Sequence, residues 1–100
     1  MTRYPSGETW IFDIGIALIE HRLQEDLLHY HILTGPKAGE RDAVALEVVR
    51  IRDHVFLVSW QERDGSTVVH VEDFADGTFH SCLTQPGAAL LRFKGTMRRA

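Results

Sequence analysis

Residues 47–83 read EVVRIRDHVFLVSWQERDGSTVVHVEDFADGTFHSCL, and this stretch decides the fold. It contains runs rich in β-branched and aromatic residues, which are typical of strands, at residues 48–52, 55–62, 67–74 and 78–83. Three dipeptides separate these runs: Asp53-His54, Asp64-Gly65 and Asp76-Gly77. Asp-Gly between such runs is a strong hairpin signal, because a tight primed turn needs positive φ at both central residues. The pattern predicts an up-and-down antiparallel meander.

The rest of the chain supplies further strands of the same kind. Residues 9–20 are predicted as one strand with a bend or bulge at Gly15, although an amphipathic helix also fits their apolar spacing. Residues 27–33 and 88–97 are predicted as strands, and residues 34–42 as the longest loop. About seven short strands at roughly ten-residue spacing predict a small closed or nearly closed barrel.

Length and composition bound the kind of protein. One hundred residues predict a single domain over residues 1–100, and 44% hydrophobic with 25% charged residues is ordinary for a soluble protein. A net charge of −3 argues against a nucleic-acid partner. The longest apolar stretch, Ile14–Ile19, is far too short for a membrane span, and the first ten residues lack a signal-peptide pattern. We therefore expect a cytoplasmic protein with no membrane or nucleic-acid partner.

Turn lengths set the register of the strands, and the register sets which face lies inside. With two-residue loops at all three turns, one face combines a strong apolar lining with a few polar groups. That mixture is usual for a small-molecule pocket, so this face is predicted to lie inside. The predicted ligand-binding residues are Trp60, Phe56, Val58, Glu47, Glu62, Val69, Val71, Asp73 and His80. The same face carries Val49, Ile51 and Cys82.

The opposite face is more polar but keeps several large apolar side chains. These are Val48, Val55, Leu57, Phe74 and Phe79. They are too many for the free surface of a monomer. A self-complementary homodimer would cover them, and two-fold dimers are the commonest oligomers. A helix from elsewhere in the chain would cover them equally well.

The run from Val55 to Glu62, followed by Asp64-Gly65 and residues 68–74, resembles the MoaF-like family of small lipocalin-like (calycin-type) barrels. The loop at residues 35–39 and the turn at residues 76–78 are also similar to that family, and the similarity covers roughly residues 10–84. The resemblance implies a small antiparallel barrel with a central cavity. It implies no defined reaction, and no motif in the chain supplies one.

Asp73 and His80 are the strongest acid–base candidates, because the predicted register makes them cross-strand neighbours on the inner face. A carboxylate that orients an imidazole can tune it for proton transfer near neutral pH. The same pair can instead hold the hairpin in register. Because no nucleophile accompanies the pair, we favour the structural interpretation and predict no catalytic residue.

Glu47 and Glu62 are predicted to flank Trp60 on the inner face. Two carboxylates beside an indole ring could bind a cation or hold an amine-bearing ligand against the ring. The simpler interpretation places one or both at the wet open end of the barrel.

His29 and His31 lie on one face of a strand, which is a geometry that can chelate a metal. The chain lacks a glutamate at the spacing that a cupin site needs, so we predict no metal site. The single cysteine, Cys82, excludes an intrachain disulfide and is predicted to be a small buried hydrophobic residue.

These patterns favour a small-molecule-binding protein over an enzyme. We expect an apolar or aromatic guest in the barrel interior, excluded from water and oriented by a few polar groups. The alternative is a small cofactor-free decarboxylase or isomerase that uses an interior Asp/Glu–His pair. A third possibility is a barrel whose lumen is filled by its own side chains. The sequence identifies no cofactor.

Overall fold

The computed structural model describes residues 1–24 and 26–100, and these residues form one antiparallel sheet of nine strands. In chain order the strands are β1 (Thr9–Asp13), β2 (Leu18–Gln24), β3 (Leu27–Ile32), β4 (Arg41–Ala45), β5 (Glu47–Arg52), β6 (Val55–Gln61), β7 (Thr67–Asp73), β8 (Thr78–Thr84) and β9 (Leu91–Arg99). Their order across the sheet is β4-β3-β2-β1-β9-β8-β7-β6-β5. The sheet curls into a nearly closed barrel, which confirms the predicted all-β meander. No helix in the described residues is long and apolar enough to cross a membrane.

The two edges of the sheet meet through a single residue. β4 and β5 are the edge strands, and only Leu46 separates them along the chain. The residue before Leu46 still pairs with β3, and the residue after it already pairs with β6. β4 also contacts β6 directly. We call the line between β4 and β6 the seam. Because Leu46 is buried in the core, the seam is closed by side-chain packing.

Nine strands replace the predicted seven for two local reasons. The predicted strand over residues 9–20 is the β1–β2 hairpin, and the chain turns at Gly15, whose φ of 89° favours glycine. β4 begins at Arg41, inside the predicted loop over residues 34–42. The meander is unchanged, since both corrections only add antiparallel neighbours.

The β6–β7 register differs by one residue from the predicted one, because Asp64-Gly65 belongs to a three-residue loop. The Glu62 N–H donates to Ser66 O at 2.8 Å, and the Gly65 N–H donates to Glu62 O at 2.9 Å. Gly65 has a φ of 90°, as expected for a type I turn that ends in a left-handed glycine. Trp60 therefore pairs with Val68 rather than with Val69. A shift of one residue exchanges the two faces of β7.

The other two turns confirm one prediction and correct another. The two-residue turn at Asp53-His54 is confirmed, since Arg52 pairs with Val55, but a bulge at Ile51 shifts the register beyond it and exchanges the faces of β5. The β7–β8 loop has four residues, 74–77, rather than two. That change moves the β7–β8 pairing by two residues, which leaves each β8 residue on the same face as its predicted β7 neighbours. Because the two faces of β7 were exchanged, those of β8 are exchanged as well.

The predicted interior is therefore right for β6 and wrong for its neighbours. Phe56, Val58 and Trp60 are buried inside. The residues predicted inside that face outwards are Glu47, Val49, Ile51, Val69, Val71, Asp73, His80 and Cys82. Their places inside are taken by Val68, His70, Glu72, Phe79 and Ser81, all of which are buried.

The middle of the barrel is filled by its own side chains. Phe12, Phe56 and Phe79 are the largest fully buried residues, and each is at most 1% exposed. They belong to two clusters, one around Phe56, Trp60 and Leu28, the other formed by Phe12 and Phe79 with Met97. A guest at the centre of the lumen would have to displace these rings. Any ligand site must therefore lie towards an end of the barrel.

The predicted apolar outer face is also corrected. Phe79 is fully buried, Phe74 packs edge-on against Tyr4, Trp10 and Phe56, and Val48 packs against the core. These side chains need no partner subunit to cover them, whereas Leu57 faces outwards as predicted. On β5 the exposed apolar groups of the outer side are Val49 and Ile51, at 55% and 53% exposure.

Candidate functional site

A cavity of about 310 Å³ opens at the end of the barrel where β6 finishes. β2, β3, β4, the loop after β3 and the β6–β7 loop surround it. Its lining residues are Ile19, His21, Tyr30, Ile32, Lys37, Glu40, Arg41, Asp42, Trp60, Glu62, Arg63 and Asp64. Ligand pockets begin at roughly 300 Å³, so the cavity suits a small guest. We call it the mouth cavity.

His21 lies deep in the wall of the mouth cavity and is only 3% exposed. Its ring stacks on Phe12, with 4.0 Å between centroids, and meets Trp60 edge-on at 5.9 Å. Nδ1 has no hydrogen-bond partner among the described residues. Burial lowers the pKa of His21 well below its usual range, and the nearby His70 adds to the effect. The side chain is therefore a neutral imidazole with unused hydrogen-bonding capacity.

We expect His21 to make the protein less stable in mild acid. Below a pH of about 6.5 this histidine becomes protonated in the unfolded chain but stays neutral in the folded protein. Lowering the pH therefore favours unfolding and lowers the stability of the fold. Relative to His21→Leu, the wild-type protein should lose up to about 1.4 kcal/mol per pH unit below that value. Urea denaturation of both proteins between pH 7.5 and 5 measures the difference. Curves that stay parallel over this range would contradict the assignment.

Glu62 stands beside Trp60 at the rim of the mouth cavity. Trp60 Nε1 donates a hydrogen bond to Glu62 Oε2 at 3.2 Å. Partial burial raises the pKa of Glu62, and the carboxylates of Asp64 and Asp42 raise it further, whereas the Trp60 hydrogen bond lowers it. The indole and the carboxylate thus form one fixed unit with a polar and an aromatic side.

The pKa of Tyr30, in the wall of the mouth cavity, is affected by several carboxylates around it. Burial and then four carboxylates raise its pKa to about 12. Those carboxylates belong to Glu62, Asp42, Asp64 and Glu40, all of which line the cavity. After burial, these carboxylates are the second reason why the phenol resists ionisation.

An ion pair crosses the seam at the edge of the mouth cavity. Arg63 Nη2, in the β6–β7 loop, lies 3.0 Å from Asp42 Oδ1 on β4. The arginine side chain is 85% exposed and the aspartate 15%, so the pair is worth little on its own. Its effect is geometric, because it places the loop that carries Glu62 and Asp64 next to β4.

A second polar cluster is sealed in the core. His70 Nδ1 lies 2.9 Å from Glu72 Oε2, and Tyr4 Oη donates to Glu72 Oε1 at 2.6 Å. Glu72 is 0% exposed, and the pKa of Tyr4 is raised by burial and by the glutamate. We call these three residues the core triad. None of them lines the mouth cavity, and Trp60 contacts the His70 ring edge-on at 4.8 Å between the two sites.

The structure brings together two of the predicted ligand-binding residues, Trp60 and Glu62, in the wall of the mouth cavity. Phe56 and Val58 lie in the packed core below them. The other predicted residues, Glu47, Val69, Val71, Asp73 and His80, face outwards, away from any interior guest.

Asp73 and His80 do not form the predicted acid–base pair. Asp73 pairs with Thr78 across the strands, and His80 pairs with Val71. Asp73 Oδ1 instead accepts hydrogen bonds from the N–H groups of Ala75 and Asp76, which shape the turn. The interior His–Glu pair is the one formed by His70 and Glu72.

Sequence reasoning missed His21 and Tyr30. The alternation in β2 and β3 was a usable signal, since Ile19, His21 and Leu23 share the inner face of β2, as Leu28 and Tyr30 do on β3. His29 and His31 consequently face outwards. In the described residues no group of three His, Cys, Asp or Glu side chains could hold a metal ion.

Comparison with known proteins identifies a family and a similar solved structure. A family model described as MoaF-like matches residues 6–98. A crystal structure from Burkholderia vietnamiensis, described as that of a "putative beta-lactamase", superposes with a TM-score of 0.90 and 30% sequence identity. That alignment covers 99% of this chain and 100% of the other. No match was found among curated proteins.

Proposed function

This chain belongs to the MoaF-like family, and on that premise we propose that it is a small-molecule-binding protein whose guest occupies the mouth cavity. One observation carries the proposal. Above a filled core, Trp60 and Tyr30 line a cavity of about 310 Å³, and the buried His21 is part of its wall. The apolar and aromatic part of the lining, Ile19, Ile32, Tyr30 and Trp60, excludes water from an aromatic or apolar guest, while the charged residues around it, Glu62 among them, fix its orientation.

The enzyme alternative has less support. Asp73 and His80 lie outside the barrel, and the buried His70–Glu72 pair has no opening to a substrate. The description "putative beta-lactamase" applies to the Burkholderia protein and assigns no activity to this chain. The lining of the mouth cavity here includes no serine, threonine or cysteine among the described residues, so we do not propose lactam opening by such a nucleophile.

Filling the mouth cavity should abolish binding. We expect native mass spectrometry of the purified protein to show a discrete small-molecule adduct that Ile32→Phe lacks, because the added ring occupies the space of the guest. Ile16→Phe is the matched control, since Ile16 is 75% exposed and outside the lining. An adduct that survives in Ile32→Phe, or is absent from all three proteins, would oppose the proposal.

The homodimer stays a prediction, but the outer face that would form it carries other residues than the predicted ones. One row of paired residues crosses the outer sheet from Glu47 on β5 through Val69 and Cys82 to Arg92 on β9. A second copy related by a two-fold axis along β7 would bring each Glu47 over the other copy's Arg92, with Ser59, Val69 and Cys82 between them. The mass of the assembly in the same spectra tests this arrangement.

A further inference from the structure

We propose that the guest of the mouth cavity is a small organic cation, with an ammonium group on a flat apolar body, held between Glu62 and the Trp60 ring. This inference rests on the proposed function and narrows it to a ligand class. Three features of the cavity support it: the lack of an ion pair at Glu62, the positions of the basic side chains and the uncharged ring of His21.

Glu62 is a half-buried carboxylate that lacks a basic partner. Among the described residues, the ion pairs join Arg50 to Asp53, Arg63 to Asp42, His70 to Glu72 and Arg99 to Glu8. None involves Glu62, and from the part of the chain that the structure describes its Oε2 accepts only the indole N–H of Trp60. A charged group that is partly removed from water gains most from a counter-ion brought by a ligand.

None of the Lys and Arg residues of the cavity lining forms an ion pair with Glu62 among the described residues. Arg63 is paired with Asp42. Arg41 faces the outer side of β4, where it lines a shallow groove with Arg22, His29 and His31. Lys37, in the exposed loop after β3, lines the cavity and lowers the pKa of Glu62 and Asp64 through its charge, but it forms no ion pair among the described residues. With Asp42 paired, the carboxylates of Glu62, Asp64 and Glu40 remain around Tyr30, whose pKa is raised first by burial and then by the carboxylates near it.

His21 supplies an uncharged polar ring in the wall of the mouth cavity. It is buried and lines the cavity, and its Nδ1 is closed off from solvent without a partner among the described residues. A neutral imidazole does not repel an ammonium group, whereas a protonated one would. The rings of Trp60 and Tyr30 add faces that attract a cation.

Three probes with one skeleton separate charge from shape. Phenethylamine is a cation at pH 7, phenethyl alcohol is neutral, and 3-phenylpropionate is an anion of similar size. By titration calorimetry we expect the amine to bind at least tenfold more tightly than the alcohol, and the anion not to bind. If the alcohol or the anion binds as tightly as the amine, the cation assignment fails and the small-molecule site stands. If none binds, the cation assignment fails, and the adduct in the native mass spectra decides the small-molecule site.

A matched pair of variants locates the charge. Glu62→Gln keeps an oxygen for the Trp60 N–H but removes the negative charge, so the amine should lose about tenfold to hundredfold in affinity and the alcohol should lose little. Glu47→Gln makes the same change on the exposed outer face and should leave the affinity for the amine unchanged. Equal losses in the two variants, or no loss in Glu62→Gln, would overturn the role of Glu62.

Discussion

His70→Leu is expected to lower the free energy of unfolding by about 3–5 kcal/mol, because it removes one partner of a fully buried carboxylate. Glu72 is 0% exposed, and its two oxygens bond only to His70 and Tyr4 among the described residues. Leucine roughly preserves the volume but cannot hydrogen-bond, so Oε2 would be left in the core without a donor. Urea unfolding followed by far-UV circular dichroism measures the loss.

Replacing the whole core triad separates charge from packing. The triple variant Tyr4→Phe, His70→Leu, Glu72→Leu removes every polar group of the cluster at once, and an apolar replacement of a buried ionic cluster is often neutral or stabilising. We therefore expect the triple variant to regain most of the stability that His70→Leu loses. If it stays as unstable as His70→Leu, the loss comes from the ring contacts of His70 with Phe79 and Trp60.

Phe79→Ala is expected to cost about 3–5 kcal/mol, the usual range for removing a buried aromatic ring. Phe79 is 0% exposed and lies 5.0 Å from Phe12 and 4.9 Å from His70, measured between ring centroids. The ring also covers Gly95 on β9, where an added Cβ would lie 2.5 Å from Cε1 of Phe79. The rigid ladder between β8 and β9 limits collapse into the space, so the cavity persists.

Phe93→Ala is the control for this prediction. Phe93 meets Phe79 edge-on at 6.4 Å from the neighbouring strand but is only partly buried, so the same deletion should cost clearly less. Urea denaturation of Phe79→Ala and Phe93→Ala gives the two midpoints, which report the loss of stability when the slopes of the unfolding free energy against urea are equal. Equal losses at the two positions would show that β8 and β9 repack around the missing ring.

The sequence predicted the hairpins but not their register, and Asp64-Gly65 shows why. A two-residue primed turn and a three-residue loop ending in a left-handed residue both place glycine where φ is positive. The dipeptide therefore fits either loop, yet the two choices differ by one residue and exchange the faces of β7. The bulge at Ile51 has no residue-type signal at all, since isoleucine is ordinary in a strand.

The core triad could not be predicted from local pattern. In β7 the apolar Val69 and Val71 face outwards while His70 and Glu72 face inwards, which is the reverse of the usual alternation. Burial of Glu72 depends on the hydroxyl of Tyr4, which lies 68 residues away in the chain. A partner at that distance leaves no trace in a strand periodicity.

Of the candidate site, the sequence predicted Trp60 and Glu62 but not His21 and Tyr30. Trp60 and Glu62 sit on the strand and turn that the sequence marked most clearly, two residues apart, and their hydrogen bond follows from that spacing. His21 and Tyr30 reach the mouth cavity from β2 and β3, and their inward orientation depends on the turn at Gly15 that splits the first predicted strand.

The seam at Leu46 has a consequence for the order of assembly. If the strands are counted from β5 through β9 and on through β1 to β4, each one pairs with the next, so the barrel is a ring of hairpins opened at one place. In the natural connectivity only the β1–β9 ladder joins distant segments, and every other pairing is local. Closing that long loop carries the largest chain-entropy cost, so the β1–β9 pairing is the step that should set the folding rate. A circular permutant that joins residues 100 and 1 and begins at Glu47 would turn this slowest contact into a hairpin.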